Sequence, residues 1–278
     1  MLVSVVIPAC EAHATIAVAV ASLRAQTHAG WEAIIVSDDG ADYLGHLAAQ
    51  GIRDPRLRGA STGGLRTGCH RARNAGLKLA RGDFTTQLDA DDEWMPERLA
   101  DLLPMAAQHG AAADNLLVRD AATGATLYRA LGEIAAPVFL DAAAIVALTT
   151  PLVPLIRRDH VLARADGVEL AEDVIANLQL VARIGRLPAL ARSSYVYNIR
   201  NSSICHLPGA ATGFGRAYAA YMARLGSGDG FGLPPDIRRA AHAAFAGRSA
   251  RNNAFAAAAA AGFSGSFQHF VAARRSGL

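Results

Sequence analysis

Three aspartates stand close together in the first half of the chain, at Asp89, Asp91 and Asp92. They directly follow the apolar run 84–88, which has the composition of a buried strand. Carboxylates crowded at the end of such a strand repel each other and lose hydration. A bound divalent cation usually offsets this cost. Because Mg²⁺ and Mn²⁺ take one or two carboxylates together with phosphate oxygens and water, the spacing predicts a metal–diphosphate site. The alternative is a solvated acidic loop before a helix.

The elements that must position these residues alternate between strand and helix. Strands are predicted at 3–7, 31–36, 57–60 and 84–88, and helices at 14–26 and 68–80. Continuous apolar strands separated by helices are typical of a parallel sheet covered on both faces, which makes this an α/β protein. The ligand crevice of such a sheet lies at the carboxyl ends of its strands. The residues expected to converge on this cleft are Pro8, Asp38, Asp39, Asp89 and Asp91.

The pattern loosens after residue 103. We expect the segments 113–119 and 126–130 to pair as strands around a turn, and 152–157 and 187–198 to be strand-like. A helix is predicted at 171–184, with the acidic pair Glu172 and Asp173 at its start. From residue 214 onward the chain is Ala-rich and helical. We therefore predict one domain with two halves, 1–110 and 111–212, followed by a helical extension, 213–278.

Composition narrows the class of protein. Of the 278 residues 52% are hydrophobic, so a large core is expected. A net charge of +3 with 6% aromatics argues against nucleic-acid binding but favours an anionic ligand or an acidic membrane surface. Cys10, Cys69 and Cys205 are widely spaced, which indicates a reducing compartment. The start of the chain lacks the features of a signal peptide, and prolines interrupt the apolar stretch 134–156, so we expect a cytoplasmic protein. Peripheral contact with the membrane stays open.

Several motifs, in the same order along the chain, resemble those of the family 2 inverting glycosyltransferases with the GT-A fold. The matching segments are Val3–Ala9, Trp31–Gly40, Ala72–Gly76, Ala80–Phe84, Leu88–Asp92 and the pair Glu172-Asp173. The match is strong over the first hundred residues and fair from 150 to 200. Cys10 and Glu11 depart from the family, where Tyr and Asn are common, and Ser37 stands where an aspartate is common.

The resemblance implies a nucleotide-sugar donor, usually a UDP-sugar, bound by the half 1–110. The residues expected to contact the donor are Pro8, Ala9, Glu11, Asp38, Asp39, Arg66, Arg73, Asn74, Asp89, Ala90 and Arg200. Asp38 is expected to accept the N3–H of uracil, with a turn or helix cap as the alternative. Asp39 is the better candidate for the turn. Asp89 is expected to touch the ribose or a metal-bound water.

The two arginines near the start of the predicted helix 68–80 and the neighbouring asparagine are also expected to take part in the site. Arg73 contacts either a phosphate or an aspartate of the cleft as a structural ion pair, and Arg66 is the weaker phosphate candidate. Asn74 is expected to support the acidic loop through hydrogen bonds. The loop at Gly63-Gly64 lacks the pattern of a P-loop.

The resemblance also implies a cofactor, Mg²⁺ or Mn²⁺, at Asp91, where it would neutralise the diphosphate leaving group. His206 is a second candidate metal ligand, although a histidine on a polar loop is more often solvated. Asp173 is the expected general base, and Glu172 can exchange roles with it. The alternative for Asp173 is a first-turn acid that the helix dipole stabilises.

The expected acceptor is a hydroxyl group of a saccharide or glycolipid, bound by the half 111–212. Two other functions stay open: a nucleotidyltransferase that makes nucleotide sugars, and an inactive module that only binds nucleotide. The first usually needs a Gly-rich, basic loop after the first strand, and residues 6–11 contain neither feature. The helical extension is a candidate for acceptor binding, homo-oligomer formation or membrane contact.

Overall fold

The structure is a computed structural model that describes residues 1–165, 168, 170–200, 203, 209–227 and 229–275. Its strands are β1 (Val3–Ala9), β2 (Trp31–Ser37), β3 (Leu57–Ser61), β4 (Phe84–Gln87), β5 (Glu93–Trp94), β6 (Ala111–Asp114), β7 (Leu117–Asp120), β8 (Thr126–Arg129), β9 (Val138–Leu140), β10 (Leu155–Arg157), β11 (Leu187–Leu190) and β12 (Tyr195–Ile199). Its helices are α1 (Ile16–Arg24), α2 (Tyr43–Ala49), α3 (Cys69–Leu79), α4 (Arg98–His109), α5 (Ala142–Ala147), α6 (Glu172–Ile184), α7 (Ala210–Gly226), α8 (Pro235–Ala260) and α9 (Phe267–Arg275).

The central sheet has the strand order β3-β2-β1-β4-β10-β6-β11-β9. β1 is parallel to β2 and β4, and β2 is parallel to β3. β10 runs antiparallel to both of its neighbours, and β9 runs antiparallel to β11 at the edge. The sheet is thus mostly parallel, as predicted, and the parallel strands present their carboxyl ends at one edge.

Both faces of β1 are buried, which explains why its sequence is apolar throughout. Alternate side chains, including Val5, belong to the core that also contains Ile16 and Leu23 of α1. Val6 points to the other face and packs with Ala72 of α3. Each fully buried aliphatic side chain contributes about 1.5–3 kcal/mol, so the two helices hold the strand from both sides.

Gly76 lets α3 approach the sheet closely. A Cβ atom at this position would lie 2.4 Å from a methyl group of Val6 and 3.2 Å from a methyl group of Val36. The helix therefore packs directly on the first two strands. This close packing fixes the polar residues of its first two turns, Arg73 and Asn74, relative to the carboxyl ends of the strands.

A smaller sheet, with strand order β5-β12-β7-β8, lies beside the main one. The C-terminal helix α9 contacts this sheet: Tyr128 of β8 is hydrogen-bonded to Gln268, and Arg275 donates to the carbonyl oxygen of Arg129 at 2.7 Å. The region after residue 209 is helical, as predicted. The division at residues 110 and 212 stays a prediction. No helix within the described ranges is both long and apolar enough to cross a membrane.

Two predicted strands are each divided between the two sheets. The segment 113–119 breaks after Asp114, so β6 joins the main sheet while β7 pairs with β8 in the small one. The segment 187–198 breaks in the same way into β11 and β12. Buried polar contacts hold both breaks, because Asp114 accepts hydrogen bonds from the backbone and the hydroxyl group of Ser194 at 3.0 and 2.6 Å.

Candidate active site

The parallel strands β1, β2 and β4 end side by side, and several predicted site residues lie at or just after their ends. Ala9 pairs with Ser37 at the ends of β1 and β2, and the backbone N–H of Leu88 donates to the carbonyl oxygen of Val6 at 3.0 Å. The residues that follow these strands are therefore neighbours. Pro8 and Ala9 are the last two residues of β1 and therefore lie at this edge, where Pro8 was expected.

Asp38 is buried and anchors the loop between β3 and α3. Its Oδ1 accepts hydrogen bonds from the hydroxyl of Thr62 at 2.8 Å and from the backbone and hydroxyl of Thr67 at 3.0 and 2.6 Å. Its Oδ2 accepts from the backbone of Gly68 at 2.9 Å. Burial raises the pKa of Asp38, but these hydrogen bonds outweigh burial and hold the pKa below its ordinary value. Three of these hydrogen bonds reach Oδ1 and only one reaches Oδ2, so the second lone pair of Oδ2 retains room for one more donor.

Asp39 has no such room. Its Oδ2 accepts from the backbone of Glu11 at 2.6 Å and from the hydroxyl of Tyr43 at 2.7 Å. Its Oδ1 accepts from Ser37 and from the backbone of Ala41, both at 3.1 Å. Burial raises the pKa of this carboxyl, yet the four hydrogen bonds bring it down to about 2. Asp39 is the residue that organises the turn, and its carboxylate leaves no acceptor position for a nucleotide.

Glu11 and Arg66 form an ion pair across the mouth of this part of the cleft. Both are non-glycine residues in left-handed backbone conformation, with φ of 53° and 52°. Such conformations cost about 1–3 kcal/mol each and cluster at functional sites. The backbone N–H of Arg66 donates to the carbonyl oxygen of Asp38 at 2.5 Å, so the pair stands directly over the end of β2.

The three aspartates after β4 have different surroundings. Asp92 is buried and accepts from the hydroxyl of Tyr195 and the backbone of Asn198, both at 2.8 Å. Asp89 is ion-paired with Arg73 at 2.7 Å. No described side chain donates a hydrogen bond to the carboxylate of Asp91, whose backbone carbonyl accepts from Asn198 at 3.0 Å. Asp91 is therefore the acid of this loop that has an open carboxylate.

Electrostatics sets Asp91 apart as well. Burial, and then the negative charge of Asp89, raise the pKa of Asp91 to about 6. Arg200 opposes this rise through its charge, and it donates to the carbonyl oxygen of Asp91 at 3.3 Å. Burial raises the pKa of Asp92 further, well above its ordinary value. Ala90, between them, is buried and offers no polar side chain.

The loop fits a divalent cation that takes most of its ligands from elsewhere. Within the described ranges, no group of three or more His, Cys, Asp and Glu side chains is arranged to hold a metal. An open carboxylate with a raised pKa favours a cation next to it, and Mg²⁺ typically uses one or two carboxylates with phosphate oxygens and water. Asp91 meets that requirement. The second predicted ligand, His206, lies outside the described residues.

Arg73 connects the acidic loop after β4 with the start of α6. Its guanidinium group is buried and is ion-paired with Asp89 and with Glu172. Glu172 also lies 3.3 Å from the Nε of Arg164. Of the two interpretations of Arg73, the ion pair with acids of the cleft is observed. The acidic loop and the start of α6 consequently face each other across one guanidinium group.

Asn74 does not contact the acidic loop as expected. Its side-chain amide donates to the carbonyl oxygen of Arg164 at 3.1 Å and accepts from the backbone N–H of Arg164 at 2.7 Å. The reason is its position on α3, one residue beyond Arg73, which turns its side chain about 100° away around the helix. Asn74 thus fixes the backbone of Arg164, which in turn holds its side chain near Glu172.

The acidic pair at the start of α6 has two distinct members. Burial raises the pKa of Glu172, but Arg73 and Arg164 outweigh burial and keep it lowered, so Glu172 is ionised and engaged. Asp173 is partly exposed and accepts a hydrogen bond from the backbone of Val174 at 2.8 Å. Burial, and next the charge of Glu172, raise the pKa of Asp173. Of the two, Asp173 is the accessible carboxylate with increased basicity.

Sequence reasoning missed the residues that support these acids. Tyr195 and Asn198 of β12 hold Asp92 and the backbone of Asp91, while Thr62 and Thr67 hold Asp38. They are ordinary polar residues in a strand and a loop. Only their distance in space from the aspartates identifies them. The available signal was that buried tyrosine and asparagine side chains need hydrogen-bond partners.

Comparison with known proteins assigns this architecture to a family. Residues 4–136 match the model of the family described as glycosyl transferase family 2. The structure superposes on S. aureus TarS (residues 1–349) with a TM-score of 0.67 at 18% identity, covering 88% of this chain and 70% of that one. The complex of the same protein with UDP-GlcNAc gives a TM-score of 0.68 at 17% identity, covering 86% and 69% of the two chains. The fold is therefore of the GT-A type, as predicted.

Curated relatives agree. The chain is 35% identical over 98 residues to UDP-Glc:alpha-D-GlcNAc-diphosphoundecaprenol beta-1,3-glucosyltransferase WfgD of Escherichia coli, covering 35% of this chain and 38% of that protein. It is 31% identical over 218 residues to succinoglycan biosynthesis protein ExoO of Rhizobium meliloti (strain 1021), covering 73% and 62%. These matches place residues 4–136 of the chain in glycosyl transferase family 2. Its matches span less than two thirds of the length of these relatives.

Proposed function

We propose that this protein is an inverting glycosyltransferase that moves a sugar from a UDP-sugar to a hydroxyl group of a saccharide or glycolipid, with Mg²⁺ or Mn²⁺ at Asp91. The observation that carries this proposal is the shared guanidinium group of Arg73. It is ion-paired with Asp89 and with Glu172, so the loop of Asp91 and the residue next to Asp173 border the same cleft. The names of the relatives, which include UDP-glucose and UDP-GlcNAc, support the choice of donor.

The donor would be held from two sides. The remaining acceptor position on Oδ2 of Asp38 suits the N3–H of uracil, and cytosine has no proton there to donate. Asp91 would hold the cation with its open carboxylate, and a bound cation would neutralise charge on the departing diphosphate. Arg73, already neutralised by two acids, would orient Asp89 rather than bind phosphate itself.

Asp173 would act as the general base. Its raised pKa makes the ionised carboxylate a better proton acceptor than that of an ordinary aspartate. It would accept the proton of the acceptor hydroxyl as that oxygen attacks the anomeric carbon on the face opposite the diphosphate. One such displacement inverts the anomeric configuration. Glu172 would keep Arg73 and Arg164 in place, because both arginines already engage it.

The deciding experiment is calorimetric titration of UDP into the purified protein, with Mn²⁺ and with a chelator. We expect binding that depends on the metal and that Asp91→Ala abolishes. Asp236→Ala, which removes an exposed aspartate from α8, is the matched control and should bind UDP as the wild type does. Absence of UDP binding to the wild type under every condition would overturn the uridine assignment.

Activity needs its own measurement. UDP release from a panel of UDP-sugars, with and without saccharide acceptors, should separate a transferase from an inactive nucleotide-binding module. NMR spectroscopy of the product should show an anomeric configuration opposite to that of the donor. A product that retains the configuration would rule out the single displacement at Asp173. Formation of pyrophosphate from UTP and a sugar phosphate would instead favour the nucleotidyltransferase.

A further inference from the structure

Two arginines on α8 lie close together, and of these Arg248 is buried and Arg251 is partly exposed. Arg248 and Arg251 lie one turn apart and reach the end of α5. Arg248 donates to the carbonyl oxygen of Leu148 at 2.6 Å, and Arg251 donates to that of Ala147 at 3.0 Å. Only 6% of Arg248 is exposed. The two guanidinium groups therefore meet at the C-terminal end of one short helix.

The counter-charges around these two guanidinium groups differ from those around the other buried arginines. Among the residues that the structure describes, no carboxylate forms an ion pair with Arg248 or Arg251. The buried Arg98, by contrast, is paired with Asp114. The Nε atoms of both α8 arginines are also buried without a hydrogen-bond partner. Burying a charge without a counter-charge is costly, and helix carbonyl groups supply only a partial negative charge.

The two cations also disturb each other. Burial lowers the pKa of Arg251, and the neighbouring positive charge of Arg248 lowers it further. Each guanidinium group carries five N–H donors, of which one hydrogen bond to a carbonyl oxygen is observed in each case. A pair of close, repelling cations with unused donors has the composition of an anion site.

The location of the pair connects it with the candidate base. Arg248 is one of three arginines, with Arg73 and Arg164, whose charge lowers the pKa of Asp173. Arg73 and Arg164 are engaged by Glu172, whereas Arg248 comes from the helical extension beyond the family match at 4–136. A molecule whose hydroxyl group reaches Asp173 therefore lies in the field of Arg248.

We propose that Arg248 and Arg251 bind a phosphate group carried by the acceptor, so that the acceptor is a phosphorylated saccharide. This inference rests on the proposed function, because it takes the molecule next to Asp173 to be the acceptor. Two guanidinium forks match the geometry and charge of a phosphate, whereas a sugar carboxylate needs only one. The phosphate belongs either to a lipid-linked sugar diphosphate or to a phosphodiester polymer.

The test uses the full chain saturated with UDP and Mn²⁺, so that the donor site is filled. N-acetylglucosamine 1-phosphate is titrated into it, with N-acetylglucosamine and glucuronic acid as comparison probes. We expect the phosphate to bind measurably and the other two to bind at least tenfold more weakly. Arg248→Gln and Arg251→Gln should each weaken phosphate binding about tenfold, since a hydrogen bond between charged groups is lost. Arg251→Lys should retain part of the affinity.

Arg239→Gln is the matched control, because Arg239 is an exposed arginine on the same helix. It should leave the affinity for the phosphate unchanged. UDP affinity is measured for every variant. If Arg248→Gln loses UDP binding through misfolding, the less buried Arg251 variants carry the test.

The outcomes separate the two proposals. If the wild type does not bind UDP, the proposed function itself fails. If UDP binds normally but the phosphate does not bind, or binds equally to the Arg251 and Arg239 variants, the phosphate site is wrong and the glycosyltransferase assignment stands. Preference for glucuronic acid would also overturn the phosphate site. Tighter binding of farnesyl diphosphate than of a glycerol phosphodiester would identify the lipid-linked source, and the reverse order the polymer.

Discussion

The pKa values of two carboxyl groups, one at each end of the parallel strands, are shifted in opposite directions. At the amino end, Glu32 of β2 accepts hydrogen bonds from Ser4 at 2.8 Å, from Arg58 at 3.0 Å and from both backbone and side chain of Arg81. Burial raises the pKa of Glu32, but these contacts lower it to about 2. At the carboxyl end, burial and Asp89 raise the pKa of Asp91 to about 6.

This difference in pKa distinguishes a carboxylate that stabilises the fold from one that is available to bind a ligand. Glu32 has every partner it needs inside the chain, so its charge is worth more in the folded protein than in water. Asp91 has an open carboxylate, so its charge is worth less until something from outside binds. Substitutions at the two ends should therefore affect different measurements.

The largest effect is expected for Asp173→Asn. Loss of the proposed general base should lower the transfer rate by about 10²–10⁴-fold, measured by UDP release with acceptor present. UDP affinity should stay within about twofold, because the proposed nucleotide contacts are with other residues. Asp159→Asn, an exposed aspartate paired with Arg157, serves as the control.

The pH dependence of the wild type supplies a second check on Asp173. Because the base must be deprotonated and its pKa is raised, kcat/KM should rise with pH along an acid limb that lies above the ordinary aspartate value of 3.8. A different result would assign the role of general base to Glu172. In that case Asp173→Asn would turn over at a near-normal rate, while Glu172→Gln would lose turnover and keep its UDP affinity.

Glu32→Gln should produce the next largest effect, on stability alone. The pKa of Glu32 is lowered from 4.5 to about 2, so its contribution is present above about pH 4.5 and is lost as the pH falls toward 2. At pH 7 the variant should be less stable by on the order of 2 kcal/mol in urea unfolding. UDP affinity of the folded protein should not change. A stability difference that persists unchanged at pH 3 would contradict the linkage.

Asp91→Asn should change stability in the opposite direction when metal is absent. The pKa of Asp91 is raised from 3.8 to about 6, so the contribution of this carboxyl group to stability is fully present below about pH 3.8 and is lost as the pH rises through 6. At pH 7.5 the variant should unfold at higher urea, by on the order of 1 kcal/mol. With Mn²⁺ and UDP the order should reverse, because we expect only the wild type to bind them. A variant that is less stable without ligand would show that Asp91 has a structural partner.

Glu11→Gln should have the smallest effect. Glu11 and Arg66 are about two-thirds exposed, with side-chain exposures of 67% and 68%, and such ion pairs contribute less than about 1 kcal/mol. We expect a slight, salt-sensitive loss of UDP affinity and an unchanged melting temperature. Glu133→Gln, in an exposed ion pair with Arg129, is the control. A tenfold change in UDP affinity would mean that Glu11 contacts the nucleotide directly.

The sequence alone determined the class of fold and the family. Apolar runs such as 3–7 and 31–36 had to be buried on both faces, which requires a parallel sheet, and a parallel sheet brings its strand ends together. The order of motifs from Val3–Ala9 to Leu88–Asp92 then identified the family. These conclusions need only local pattern and order along the chain.

Only the tertiary structure decided which hydrogen-bond partners surround each aspartate. Asp38 and Asp39 are adjacent and identical in type, and so are Asp91 and Asp92. In each pair, residues distant in sequence nevertheless donate hydrogen bonds that distinguish one carboxylate from the other, such as Tyr43 to Asp39 and the partners on β12 to Asp92. The strand breaks at Asp114 and after Leu190 were likewise decided by partners in space. The number of donors around a carboxylate depends on which chain segments pack beside it, and no local pattern encodes that number.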